Sequence, residues 1–141
     1  MKPILLENYR EIIESYKKED WQPLLALMPE IEKTTKFGEP HKSDDGVIHL
    51  VWYNAPVVLE FLEIIYKMPI VIDFDWGGWD EGRKMASDEN FDFNTIDITT
   101  KCKLITAFAR NDKFRVGALS EHFESGIILK ILRSIEDQLI N

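Results

Sequence analysis

The sequence predicts a mainly α, single-domain helical bundle of six to seven helices with a minor β-hairpin-like element. Three observations carry that expectation. Apolar residues recur at helical spacing through most of the chain, as in Tyr9, Ile12, Ile13 and Tyr16 or Ile128, Ile131, Leu132, Ile135 and Leu139. Residues 47–53 are the best candidate strand, being β-branched and aromatic. The 141 residues contain no repeat, low-complexity tract or linker, and that length suits one domain.

In order, the first helix carries its apolar stripe from Tyr9 to Tyr16, with Arg10, Glu11, Glu14, Lys17 and Lys18 on the other face. Asp20 is expected to cap a second helix, with Pro23 in its first turn, Leu24, Leu25, Leu27 and Met28 inside, and a kink at Pro29. The periodic pattern is lost over residues 34–43, and Lys42-Ser43-Asp44-Asp45-Gly46 has turn chemistry. After the strand, Asn54 caps a helix with Pro56 near its start and Val58, Phe61, Leu62 and Ile65 along one face. Met68-Pro69 ends it. Ile70-Val71-Ile72 reads either as a short strand pairing with the first or as a buried connector.

Asp75 is expected to cap a helix through Met85, weakened by Gly77, Gly78 and Gly82. Residues 88–95 form a polar loop pinned by Phe91 and Phe93. Asp97 caps the next helix, whose stripe is Ile98, Cys102, Ile105 and Ala109, widened by Leu104 and Phe108. A tight junction at Arg110-Asn111-Asp112-Lys113 leads to a short helix over about residues 116–124, broken near Ser125-Gly126. An amphipathic helix closes the chain.

A net charge of −8 opposes unspecific attraction to nucleic acid or anionic lipid and would suit a basic protein partner. The single cysteine, Cys102, permits no internal disulfide. The apolar start, Met1 to Leu6, is too short for a signal peptide's hydrophobic region, and no stretch has the roughly 18 apolar residues of a membrane span, so the cytoplasm is the expected location. No phosphate loop, G-x-S-x-G, H-E-x-x-H or paired C-x-x-C is present, so no catalytic residue and no cofactor is assigned. His41, His49 and His122 lie far apart without ligand-like neighbours, so no metal site is expected. Cys102, mid-helix among Ile98, Leu104 and Ile105, reads as a buried and inert thiol.

Two places concentrate chemistry. In Phe74-Asp75-Trp76-Gly77-Gly78-Trp79-Asp80-Glu81-Gly82-Arg83, helical geometry would align Trp76, Trp79 and Arg83, with Arg83 over the Trp79 ring. That makes either an aromatic ligand platform bounded by Asp73, Asp75, Asp80 and Glu81, or two core tryptophans with capping carboxylates, the second being the stronger expectation. Arg110-Asn111-Asp112-Lys113-Phe114-Arg115 is either a basic cluster able to hold a phosphate or carboxylate, or a helix end where Arg110 and Lys113 neutralise the negative terminus and pair with Asp112. The candidate ligand- or partner-binding set is therefore Asp75, Trp76, Trp79, Arg83, Arg110, Asp112 and Lys113.

Those segments also carry a resemblance. Phe74-Asp75-Trp76 with Trp79, Arg110 with Asp112-Lys113-Phe114, Gly117 with Leu119, and Phe123 with Gly126 resemble the bacterial domain-of-unknown-function family sixty-five-zero-eight. Leu24 to Ile31, Phe37-Gly38 and Asp45-Gly46 are similar to its opening, so the likeness covers about residues 20–140 and leaves residues 1–19 as a helical extension packed on the domain. Lys113 stands where the pattern has Arg, and Arg115 where a small residue or Cys is usual. The resemblance implies a compact helical domain and brings no activity, cofactor or catalytic residue. Two functions are carried forward: a non-catalytic protein-binding or regulatory module in a bacterial or phage setting, and a small-molecule-binding protein or unrecognised enzyme with a Trp/Asp/Arg pocket.

Overall fold

The computed structural model describes residues 4–5, 8–42 and 50–140. The turn expected over residues 42–46, the start of the expected strand and His49 therefore fall wholly or mostly outside the described residues, as does the His41 side chain. Within them, β1 (Ile4–Leu5), α1 (Tyr9–Glu14), α2 (Lys18–Leu25), α3 (Met28–Lys33), β2 (Gly38–Lys42), β3 (Leu50–Asn54) and α4 (Pro56–Lys67) come first. They are followed by β4 (Ile72–Asp73), α5 (Asp80–Ser87), α6 (Ile98–Asn111), α7 (Ala118–Glu124) and α8 (Ile127–Ile140). The protein is a mainly α single domain with a small antiparallel ribbon. The segments α2 and α3 are the one bent helix expected from the sequence. The bend falls at Ala26-Leu27 rather than at Pro29, which sits in the first turn of α3 where no amide donor is needed.

α8 is the central strut. It packs on α2, α3, α6 and α7, and Ile128, Ile131, Leu132 and Ile135 are all fully buried. Their spacing puts them on one face, and burying each such side chain contributes about 1.5–3 kcal/mol. Trp21, Leu24, Phe61, Ile65 and Ile105 fill the space around that face. Lys101 is also buried and ties α6 to α8, its Nζ donating to Gln138 Oε1 (2.7 Å) and the Ser134 carbonyl (3.4 Å). Burial pushes this ammonium's pKa down, against the pull of Asp97 and Asp137.

Several local expectations are corrected. Asp20 sits inside the first turn of α2 and accepts from the Lys17 amide (2.7 Å) instead of preceding the helix. Asn54 accepts from the Trp52 indole (3.0 Å), and Ala55 stands before α4. The stretch without a pattern holds β2, antiparallel to β3 with Pro40 opposite Trp52. β4 pairs in parallel with β1, Ile72 opposite Ile4, and not with the ribbon. Its Ile72 amide donates to Thr106 Oγ1 (3.0 Å), which fastens the strand to α6.

The motif glycine Gly117 has a φ of +89°, and a Cβ there would lie 3.1 Å from the Trp52 ring, so it both turns the chain into α7 and seats that indole. Phe123 stacks on Phe37 (5.2 Å) and meets Phe61 edge-on (5.1 Å). Gly117, Leu119 and Phe123 of the family-like pattern are therefore core residues.

Candidate functional site

The segment from Asp75 to Arg83 is not one helix. Asp75 accepts from the Gly78 amide (3.2 Å) and caps a single 3-10 turn, Trp76–Gly78, before α5 begins at Asp80. The turn and α5 lie against α6, where Leu104, Ala107, Phe108 and Asn111 recur at i, i+3, i+4 and i+7 and so share one face. A cleft of about 350 Å³ opens there. Trp76, Trp79, Gly82 and Arg83 line it from the first side, and Arg115 and His122 from the junction and α7. Leu104 and Phe108 are nearly inaccessible and form its base.

Trp79 is set by its own helix. A Cβ on Gly82 would come within 2.3 Å of the Trp79 ring, so the indole lies directly on bare backbone. Its edge meets Phe74 (5.6 Å), and Lys103 Nζ stands 4.8 Å from the centroids of both rings. The cation over Trp79 is thus Lys103, from α6, and not Arg83. Arg83 turns back to the Gly77 carbonyl and reaches Asp80 at 3.4 Å. Trp76 tilts against Phe114 (5.8 Å), which joins the tryptophan segment to the α6–α7 junction.

That junction is as tight as the sequence suggests. The Phe114 and Arg115 amides both donate to the Asn111 carbonyl (3.0 and 2.9 Å), and Asp112 accepts from the Leu119 amide (3.0 Å). Asp112 therefore anchors the start of α7, and among the described residues it makes no ion pair with Arg110 or Lys113. Arg110 is half-buried on α6, Lys113 is exposed, and neither lines the cleft. Of the seven candidate residues the cleft gathers Trp76, Trp79 and Arg83. Asp75 and Asp112 serve as backbone caps. Asp73, Asp80 and Glu81, expected to bound a platform, do not line it either.

Arg115 and Asn111, from the basic junction segment, and His122 also line the cleft, although none is among the seven candidates. His122 stacks on Phe108 (4.0 Å between centroids, 25° between planes) and is half-buried. Its ring nitrogens make no hydrogen bond among the described residues and neither is a sealed polar atom, and the residue lines the cleft. Burial, then the Arg115 charge, pushes its pKa down, which keeps the imidazole neutral near pH 7. Arg115 pairs with Glu121 (2.9 Å), both side chains more than half exposed. The sequence signal for Arg115 and Asn111 is their place in the basic junction, and His122 follows seven residues after Arg115.

Other places offer less. A hollow of about 380 Å³ between α2 and α4 is bordered by Glu60, Glu63 and Lys67. Another, of about 200 Å³, has Lys130 and Arg133 at its edge, already engaged with the Glu89 carbonyl (3.4 Å) and Glu32 (2.8 Å). Cys102 is fully buried, and burial first, then Asp97, raises its pKa far above the usual thiol value. Ser87, at the cleft, gives its hydroxyl to the Lys84 carbonyl (3.2 Å). Among the described residues no group of three or more His, Cys, Asp or Glu side chains is placed to hold a metal ion, and no helix is long and apolar enough to cross a membrane.

No curated protein and no solved structure matches the chain. The family of unknown function DUF6508 matches residues 16–141, which takes in every residue of the cleft and leaves out α1, and the chain belongs to that family.

Proposed function

We propose that the protein is a non-catalytic small-molecule-binding domain whose cleft between α5, α6 and α7 takes a planar ring. The observation that carries this reading is the lining itself: Trp76, Trp79, Phe108 and His122 from three separate segments meet one hollow of about 350 Å³. That volume lies at the lower end of the roughly 300–1,000 Å³ of small-molecule sites, and a mostly apolar lining with a few polar groups is their usual composition. Aromatic faces favour flat ligands by offset or edge contact. Asn111 and the neutral His122 supply a few directional groups. Cys102 is sealed in the core, and the Ser87 hydroxyl donates to the Lys84 carbonyl of its own helix rather than to a base.

Amide NMR of labelled protein titrated with indole and adenine tests the reading. Shifts confined to Trp76, Trp79, Gly82, Asn111 and His122 are expected. Shifts scattered over the surface, or none at millimolar ligand, would contradict it.

A second reading, a protein-docking module, is favoured by the exposed Phe114 and Val116 beside the cleft, 80% and 69% accessible. Two large apolar side chains on one turn suit a partner's surface. Loss of a captured partner on Phe114→Ser, with ring binding intact, would distinguish it.

A further inference from the structure

We propose that the ring bound in the cleft carries an anionic group, a carboxylate or a phosphate, and that Arg115 and Arg83 recognise it. This rests on the reading of the cleft as a ring site and adds the charge of the ligand.

The observation behind it is a reversal of sign. The chain has 25 acidic and 17 basic residues, yet no carboxylate lines this cleft, while two arginines do. The nearest carboxylates are turned to other work or held outside. Asp75 caps the 3-10 turn, Asp112 caps α7, and Asp80 and Glu121 meet the arginines from positions outside the lining.

Neither arginine is used up by those contacts. A guanidinium has five N–H donors in a flat fork. Arg115 spends Nη1 on Glu121, and its side chain is 55% exposed. Arg83 spends one nitrogen on the Gly77 carbonyl and another on a long 3.4 Å contact with Asp80, with 66% of its side chain exposed. Exposed pairs of this kind exchange readily, because water screens them. An incoming carboxylate or phosphate can take two parallel donors from one fork, which an exposed Glu121 in its present single contact does not. The neutral His122 and the Asn111 amide add donors without adding charge, so the two arginines are the charged groups of the lining.

Calorimetry with matched pairs tests this: indole-3-carboxylate against indole-3-carboxamide, and adenosine monophosphate against adenosine. The first pair isolates a carboxylate and the second a phosphate. The anionic member of at least one pair should bind about tenfold or more tightly than its neutral partner, as expected for one added charge-assisted contact. The preference should shrink in high salt, vanish in Arg115→Gln and weaken in Arg83→Gln, while binding of the neutral member stays as in wild type. Arg133→Gln, away from the cleft, should leave the preference unchanged. Equal affinity of both members, or a preference that survives both cleft variants, overturns the proposal and leaves the ring reading standing. Binding of no member of either pair overturns both.

Discussion

Replacing Gly82 by Ala sets two opposed effects against each other at the wall of the cleft. In a helix interior the change from Gly to Ala gains about 1 kcal/mol through backbone entropy. Here the new Cβ would stand 2.3, 2.5 and 2.7 Å from Trp79 Cε3, Cζ3 and Cδ2. Ordinary carbon contacts are about 3.5–4.0 Å, so the indole must retreat by about 1 Å. Overpacking of that size costs about 1–3 kcal/mol, and the displaced ring also weakens its edge contact with Phe74, worth about 0.5–1.5 kcal/mol. The net expectation is a loss of about 1–2 kcal/mol. For 141 residues, an unfolding entropy of about 2.1 cal/mol/K per residue makes each kcal/mol worth about 3 °C, so Tm should fall by about 3–7 °C. Thermal melts followed by near-ultraviolet circular dichroism read both stability and the indole environment. Gly77→Ala is the control, since its Cβ would find nothing nearer than 3.8 Å. A Gly82→Ala protein that melts about 3 °C higher than wild type, with unchanged aromatic bands, would refute the placement of the Trp79 ring against Gly82 of α5.

Three further outcomes follow from the same geometry. Arg110→Gln should alter stability by no more than about 0.5 kcal/mol, because no carboxylate among the described residues pairs with Arg110; a fall in Tm of 6 °C or more would reveal a buried partner. Cys102 should resist a thiol reagent at neutral pH until the protein is unfolded, and rapid labelling of native protein would contradict its burial. Burial alone would raise the Asp97 carboxyl, but hydrogen bonds from Arg10, Thr100 and Thr99 outweigh it and hold it well below the ordinary value of 3.8. A depressed folded-state value stabilises fully above 3.8 and loses that contribution as pH falls below it. Asp97→Asn should therefore melt below wild type at pH 7 and approach it near about pH 2. An equal difference at both would refute the assignment.

What the sequence disclosed was local. The stripe Ile128, Ile131, Leu132 and Ile135 was legible because one helix face repeats every 3.6 residues, and the Asp97 cap because its partner Thr100 is three residues away. The pairing of Ile72 with Ile4 was not, since no short-range signal names a partner 68 residues off. β2 was hidden by its composition: Gly38-Glu39-Pro40-His41-Lys42 has little strand preference and is held by its ladder to β3. Trp76, Trp79 and Arg83, which line the cleft, stand out in the sequence because their clustering is unusual. Arg115 and His122 join them only through the turn after Asn111, which tertiary packing closes over α6. Arg110, one residue before Asn111 on α6, does not line the hollow, whereas Arg115 beyond the turn does.

The most direct test of the ring site is fluorine NMR of protein labelled with 5-fluorotryptophan. The chain's four tryptophans give four resonances, assigned by Trp→Phe variants. Trp76 and Trp79 line the cleft, whereas Trp21 is buried in the core at 1% exposure and Trp52 lies against Gly38 and Gly117. Titration with a planar ring should move the Trp76 and Trp79 signals together, along one saturating curve, and leave the other two in place. Movement of all four signals, or of none, would contradict the account.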